Sequence, residues 1–139
     1  MNTPAPKLLW TERIVVRWGD MDALGHVNNT EYFRYFEQAR IACFDAWRLP
    51  VSATGTGPVI ARAACDFRKP ITYPETVAVT MRAARVGSSS FTVAHDIRSE
   101  RDAEVLYATG EVVVVWINYG TGKAVPLPKL LRAALAVPV

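Results

Sequence analysis

Residues 31–47 read EYFRYFEQARIACFDAW, with Tyr32, Phe36, Ala39, Cys43 and Trp47 recurring at intervals of four and three, and Phe33, Arg40 and Phe44 beside them. Such spacing puts the apolar side chains along one face of an α-helix, with charged Arg34, Glu37 and Asp45 on the rest of its surface. Asn28 followed by Glu31 resembles a capping arrangement, so the helix is expected to start within Asn28–Thr30, and Pro50 closes it. The segment VSATGTGP (51–58) reads as a loop by its composition. After Pro58 the period drops to two: Val59, Ala61, Ala63, Cys65 and Phe67 alternate with Ile60, Arg62, Ala64, Asp66 and Arg68.

Working outward, 59–69, 76–86, 91–98 and 104–117 read as strands, and 12–18 (ERIVVRW) as one more before the helix. TYPE (72–75), GSSS (87–90) and SERDAE (99–104) supply turns, so the four later strands are expected to form an antiparallel meander. VVVVWI (112–117) has the apolar density of a central strand, and LPKLLRAALA predicts a short helix over about 128–136. A helix of about 17 residues spans roughly 25 Å, and five twisted strands are wide enough to wrap it. The expected class is α+β, with helices on one face of an antiparallel sheet in a single domain covering residues 1–139. Its second face and its edges would stay partly apolar, which argues for a homodimer or homotetramer.

Composition narrows the function. With 16 basic and 13 acidic residues spread along 139 positions, the net charge of +3 makes no basic stripe suited to nucleic acid. No apolar run approaches the roughly 18 residues of a membrane span, and the N-terminus lacks the pattern of a secretory signal, so a cytoplasmic protein is expected. Cys43 and Cys65 lack CxxC spacing and read as buried free thiols; His26 and His95 form no metal-binding pair, and no metal is expected.

The chemistry concentrates in WGDMDALGHVNNT (18–30), just before the helix. A carboxylate near a helix start can activate water or attack a carbonyl, while the unpaired N–H groups of the first turn, at the positive end of the helix dipole, can hold developing negative charge. Gly25 is a plausible site for a turn that folds Asp22 back beside the helix. Asp20 and Asp22 also read as turn residues, His26 as a loop histidine, and Asn28 or Asn29 as a helix cap.

The run Trp18-Gly19-Asp20-Met21-Asp22-Ala23-Leu24-Gly25-His26-Val27-Asn28-Asn29, followed by Tyr32 and the Glu37-Gln38-Ala39-Arg40 segment, resembles the N-terminal motif of the hotdog-fold acyl-CoA thioesterases of the 4-hydroxybenzoyl-CoA thioesterase type. FRKPITYPETV, the strand start at Ser90-Phe91 and TGKAVPLPKLLRAAL follow the same family's order. The resemblance implies a hotdog fold, with a long helix wrapped by a five-stranded sheet, and hydrolysis of a fatty or aromatic acyl-CoA. It places the catalytic carboxylate on Asp22, as nucleophile or general base. Gly25, His26, Asn28, Asn29 and Tyr32 are candidate substrate-binding residues, and coenzyme A enters as part of the substrate, so no further cofactor is expected. For the coenzyme's phosphates, Arg62, Arg68, Lys69, Arg82 and Arg85 are candidates; the GSSS turn is less basic than the family's corresponding turn. The alternatives are a hotdog-fold acyl-thioester dehydratase or hydratase, and a non-enzymatic acyl-thioester binding protein.

Overall fold

The computed structural model describes residues 6–49 and 55–136. In chain order it contains β1 (Leu8–Val15), a 3₁₀ turn (Trp18–Asp20), α1 (Asn29–Ala46), β2 (Thr56–Phe67), β3 (Thr76–Val86), β4 (Ser90–Ser99), β5 (Leu106–Asn118) and α2 (Lys129–Leu135). The five strands make one antiparallel sheet in the order β1-β3-β4-β5-β2. Helix α1 lies along it and buries Tyr32, Tyr35, Phe36, Ala39, Arg40, Cys43 and Phe44. The α+β class expected from the helix and its strands, and the hotdog arrangement that the resemblance implies, are therefore the observed ones. Expected closure of α1 by Pro50, and residues 51–54 of the expected loop, lie outside the described residues.

Periodicity explains why these segments form these elements. On β5, Val112, Val114 and Trp116 are buried and alternate with half-buried Val113, Val115 and Ile117. Strand β4 alternates likewise, so Phe91, Val93, His95 and Ile97 meet the core. Phe44 then makes edge contacts with Phe91 and Trp116, at ring-centre separations of 6.3 and 6.4 Å. Gly110 pairs with His95 across the β4–β5 ladder. A Cβ there would lie 2.4 Å from the Phe36 ring, so only glycine lets α1 come this close to the sheet.

Three expectations need correction. The four later strands are not a simple meander: β3, β4 and β5 are, but β2 pairs with β5 at the edge opposite β1. TYPE (72–75) is accordingly no hairpin turn. It ends a crossing over 68–75, held by Arg68 and Lys69 N–H to Tyr107 C=O, Val27 N–H to Ile71 C=O and Val16 N–H to Glu75 C=O. Strand order rests on which edge remains free after α1 has crossed the sheet, and no local pattern encodes that. The first strand is Leu8–Val15 rather than 12–18, because the Asp20 carboxylate accepts the Arg17 N–H and pulls the chain into the 3₁₀ turn. Finally, Thr56, Gly57 and Pro58 belong to β2 rather than to a loop. Proline is tolerated there because β2 is an edge strand, and Tyr119 Oη donates to Pro58 C=O at 2.7 Å. Of the two thiols, Cys43 is buried and free as expected, while Cys65 is free but only half-buried.

His95 is sealed in the core, stacked on Phe36 at 4.5 Å and 9°. Its Nδ1 lies 3.1 Å from Thr80 C=O, an acceptor only, so Nδ1 carries the hydrogen, and Nε2 has no hydrogen-bond partner among the described residues. Burial, only partly opposed by the Thr80 carbonyl and reinforced by Arg40, pushes the imidazole down to about 4. An unfolded histidine titrates near ~6.5, so between these values the unfolded chain takes up a proton that the folded one refuses. The stability contributed by a neutral His95 is thus complete above about pH 6.5 and lost as pH falls toward 4, by about 3 kcal/mol. Denaturant unfolding at pH 7.5 and 4.5 should show that much extra acid sensitivity in the wild type relative to His95→Phe.

Candidate functional site

The polar segment between the 3₁₀ turn and α1 folds into a tight loop. Asp22 N–H donates to His26 C=O at 3.0 Å and Gly25 N–H to Asp22 C=O at 3.0 Å, while Met21 bridges Val27. Gly25 closes the loop with φ of +79°, a conformation costly for any side chain. Two carboxylates one residue apart thereby reach opposite environments. Asp20 is 4 % exposed. It accepts from Arg17 N–H at 3.0 Å and from Tyr35 Oη at 2.9 Å, with the Arg17 guanidinium at 3.2 Å. Burial first, and then Asp20, push the Tyr35 phenol above its usual range and keep it a donor. Asp22 is half-buried, and one carboxylate oxygen accepts Leu24 N–H at 2.9 Å, an Asx turn that orients the group without enclosing it.

Asp22 lines a cavity of about 340 Å³ at the start of α1, together with Leu24, His26, Val27, Asn29 and Tyr32. The opposite wall comes from the end of β2 and the crossing that follows, through Phe67, Arg68, Lys69 and Pro70. Tyr32 packs edge-on against Phe67 with ring centres 4.9 Å apart. Burial raises its phenol above the ordinary value, although a hydrogen bond with the Ile71 backbone works the other way. This is a mixed apolar and polar lining of the size small-molecule sites use.

The helix start narrows the candidate donors. Asn28 Oδ1 caps α1 by accepting Thr30 N–H at 2.9 Å and Thr30 Oγ1 at 2.9 Å. Asn28 N–H is taken by Asp20 C=O and Glu31 N–H by Asn28 C=O. Asn29, the first residue of the helix, has no backbone acceptor among the described residues, as the geometry of a first helical turn dictates.

Of the residues singled out from sequence, Asp22, His26, Asn29 and Tyr32 meet in the cavity. Gly25 shapes the loop from outside the lining, and Asn28 is occupied as the cap. Phe67 and Pro70 were missed as site residues, and Arg68 and Lys69 were considered only for phosphate. All four follow Asp22 by more than 40 positions, and the one signal for them was the FRKP run in the later part of the motif series. No group of three or more metal-binding side chains occurs among the described residues. Nor is any helix among them long and apolar enough to cross a membrane.

Comparison with known proteins agrees with this architecture. The YsmA protein of Bacillus subtilis is 33 % identical over 113 residues, covering 81 % of this chain and 76 % of its own. The solved structure of the PA2801 protein of Pseudomonas aeruginosa superposes with a TM-score of 0.90 at 39 % identity, covering 94 % of this chain and all of that one. A 1,4-dihydroxy-2-naphthoyl-CoA hydrolase of Prochlorococcus marinus is 27 % identical over 106 residues, covering 63 % of this chain and 66 % of its own. Residues 16–135, which take in the loop, the helix and the whole sheet beyond β1, match the thioesterase-like superfamily, and the chain belongs to that superfamily.

Proposed function

We propose that this enzyme hydrolyses the thioester of a fatty or aromatic acyl-CoA at the cavity where Asp22 meets the start of α1. The observation that carries the reading is that one cavity is lined both by an accessible carboxylate, Asp22, and by Asn29, whose N–H has no backbone acceptor among the described residues. The thioester carbonyl oxygen is to lie against the Asn29 N–H, where the helix dipole favours the negative charge that develops in the tetrahedral intermediate. Asp22 supplies the second requirement, either by taking a proton from water as it attacks or by attacking the carbonyl itself to give a mixed anhydride that water then hydrolyses, freeing the carboxylate. Either route expels a thiolate, a good leaving group, so the chemistry demands no serine or histidine partner and no resident cofactor. His26 and Tyr32 orient the acyl group, and Phe67 gives it an aromatic wall. The naphthoyl-CoA hydrolase relative supports an acyl-CoA substrate.

The assembly proposed is a homodimer or homotetramer. Strand β2 is 12 residues long and forms a sheet edge, with largely exposed side chains along Ile60–Ala63. An edge of that length is left to pair with another strand or to aggregate, and a two-fold axis beside it would join two sheets.

The reading is tested by incubating the protein with saturated, aromatic and enoyl acyl-CoAs in the presence of a thiol reagent. Release of free coenzyme A from the saturated or aromatic thioesters is expected. Hydration of the enoyl thioester without release would point to a hydratase, and binding without turnover to a carrier.

A further inference from the structure

The cavity is too small for a whole coenzyme. A pantetheine arm separates the thioester from its first phosphate by roughly the length of four to five extended residues, about 15 Å. The arm must therefore leave the cavity past its rim, and among the described residues the only fixed positive charges on that rim are Arg68 and Lys69. Both are exposed, and their backbone N–H groups share Tyr107 C=O, at 2.9 and 3.1 Å, which fixes where the two side chains depart. Pro70 holds Lys69 extended. Neither cation has a carboxylate within ion-pair distance among the described residues, whereas Arg13, Arg17, Arg62 and Arg98 all do. Among the described residues, Arg68 Nε reaches only Thr109 Oγ1, at 3.4 Å.

The other basic candidates are placed less well. Arg62 sits 3.9 Å from Glu111, and Arg82 donates to Pro6 C=O at 3.2 Å. Arg85 stands near the far end of β3, next to a turn that contains no cation and whose Gly87 and Ser88 carbonyls are taken by Arg132. Within one chain, that end lies about 30 Å from the crossing, the length of β3.

We propose that Arg68 and Lys69 form the phosphate subsite for the phosphopantetheine end of the substrate, whether carried by free coenzyme A or by a carrier protein. The proposal rests on the acyl-thioester reading above. Two charge-assisted contacts on an exposed rim are to govern binding of phosphorylated arms and to leave the reaction itself untouched.

The test compares wild type, the double variant Arg68→Gln/Lys69→Met, and Arg85→Ala. Affinity is measured for coenzyme A, phosphopantetheine and pantetheine, and hydrolysis for their acyl thioesters. The double variant should lose about tenfold or more in affinity for coenzyme A and phosphopantetheine, with a matching rise in KM, unchanged kcat, and no change for pantetheine. Arg85→Ala should match wild type. Equal losses on pantetheine, no loss at all, or a loss caused by Arg85→Ala instead would overturn the assignment. If no thioester is hydrolysed, the catalytic reading fails, while the affinities still decide the phosphate subsite. A carrier-borne source would appear as a higher wild-type kcat/KM for the acyl carrier protein thioester than for acyl-CoA.

Discussion

Asp20→Ala should lower stability by about 2–4 kcal/mol, seen as a drop in the denaturant midpoint at unchanged slope. The residue is almost completely enclosed, and its carboxylate gathers three groups: the Arg17 N–H, the Arg17 guanidinium and the Tyr35 hydroxyl. Truncation leaves the Tyr35 hydroxyl buried with no acceptor, and an orphaned donor costs more than the bond it lost was worth. The exposed Arg17 side chain adds little, because water replaces its partner. A Tyr35→Phe background should therefore erase much of the effect, since it removes the orphan. Asp20→Asn, which keeps an oxygen acceptor, should be milder. Because Asp20 C=O also receives Asn28 N–H, loosening this turn disturbs the approach to α1, and a fall in activity should accompany the fall in stability.

Asp22→Asn should do the reverse: a loss of about 10²- to 10⁴-fold in kcat with the fold intact. Among the described residues, the one hydrogen bond accepted by the Asp22 side chain comes from Leu24 N–H, and an asparagine Oδ1 accepts it equally well. What disappears is the negative charge, hence the ability to take a proton or attack a carbonyl. KM should change little, because the apolar wall and the phosphate contacts lie elsewhere. A melting temperature within a degree or two of wild type, beside a collapsed kcat, separates this variant from Asp20→Ala.

The contrast between these neighbours marks how far the sequence could be read. Helix α1 was legible because seventeen residues repeat one stripe, and Asn28 announced its start. The strands were legible because β-branched and aromatic residues alternate over eight or more positions. Their order was not, since β2 and β3 read as neighbours in the chain while the sheet puts β5 and β4 between them. In the loop, the GDMD run by itself offers two equivalent aspartates; the family resemblance singles out Asp22, and the hydrogen bonds of the folded 3₁₀ turn supply the physical difference, with Asp20 walled in and Asp22 facing the cavity. Phe67, at the end of β2, and Arg68 and Lys69, in the crossing after it, reach the cavity by a tertiary route that the FRKP run alone does not disclose. Gly110 is similar: a glycine inside an apolar strand has no reason in sequence, and the Phe36 ring against it supplies one.

Asp22 is proposed to drive thioester cleavage in this cavity. Single-turnover kinetics tests it most directly, with enzyme in excess over an acyl-CoA and the dissociation constant measured alongside. Wild type is expected to release one thiol per substrate, while Asp22→Asn is expected to bind the same acyl-CoA with an affinity within a few-fold and to release thiol at least about a hundredfold more slowly. Equal release by both proteins, or wild-type binding with no thiol released, would contradict it.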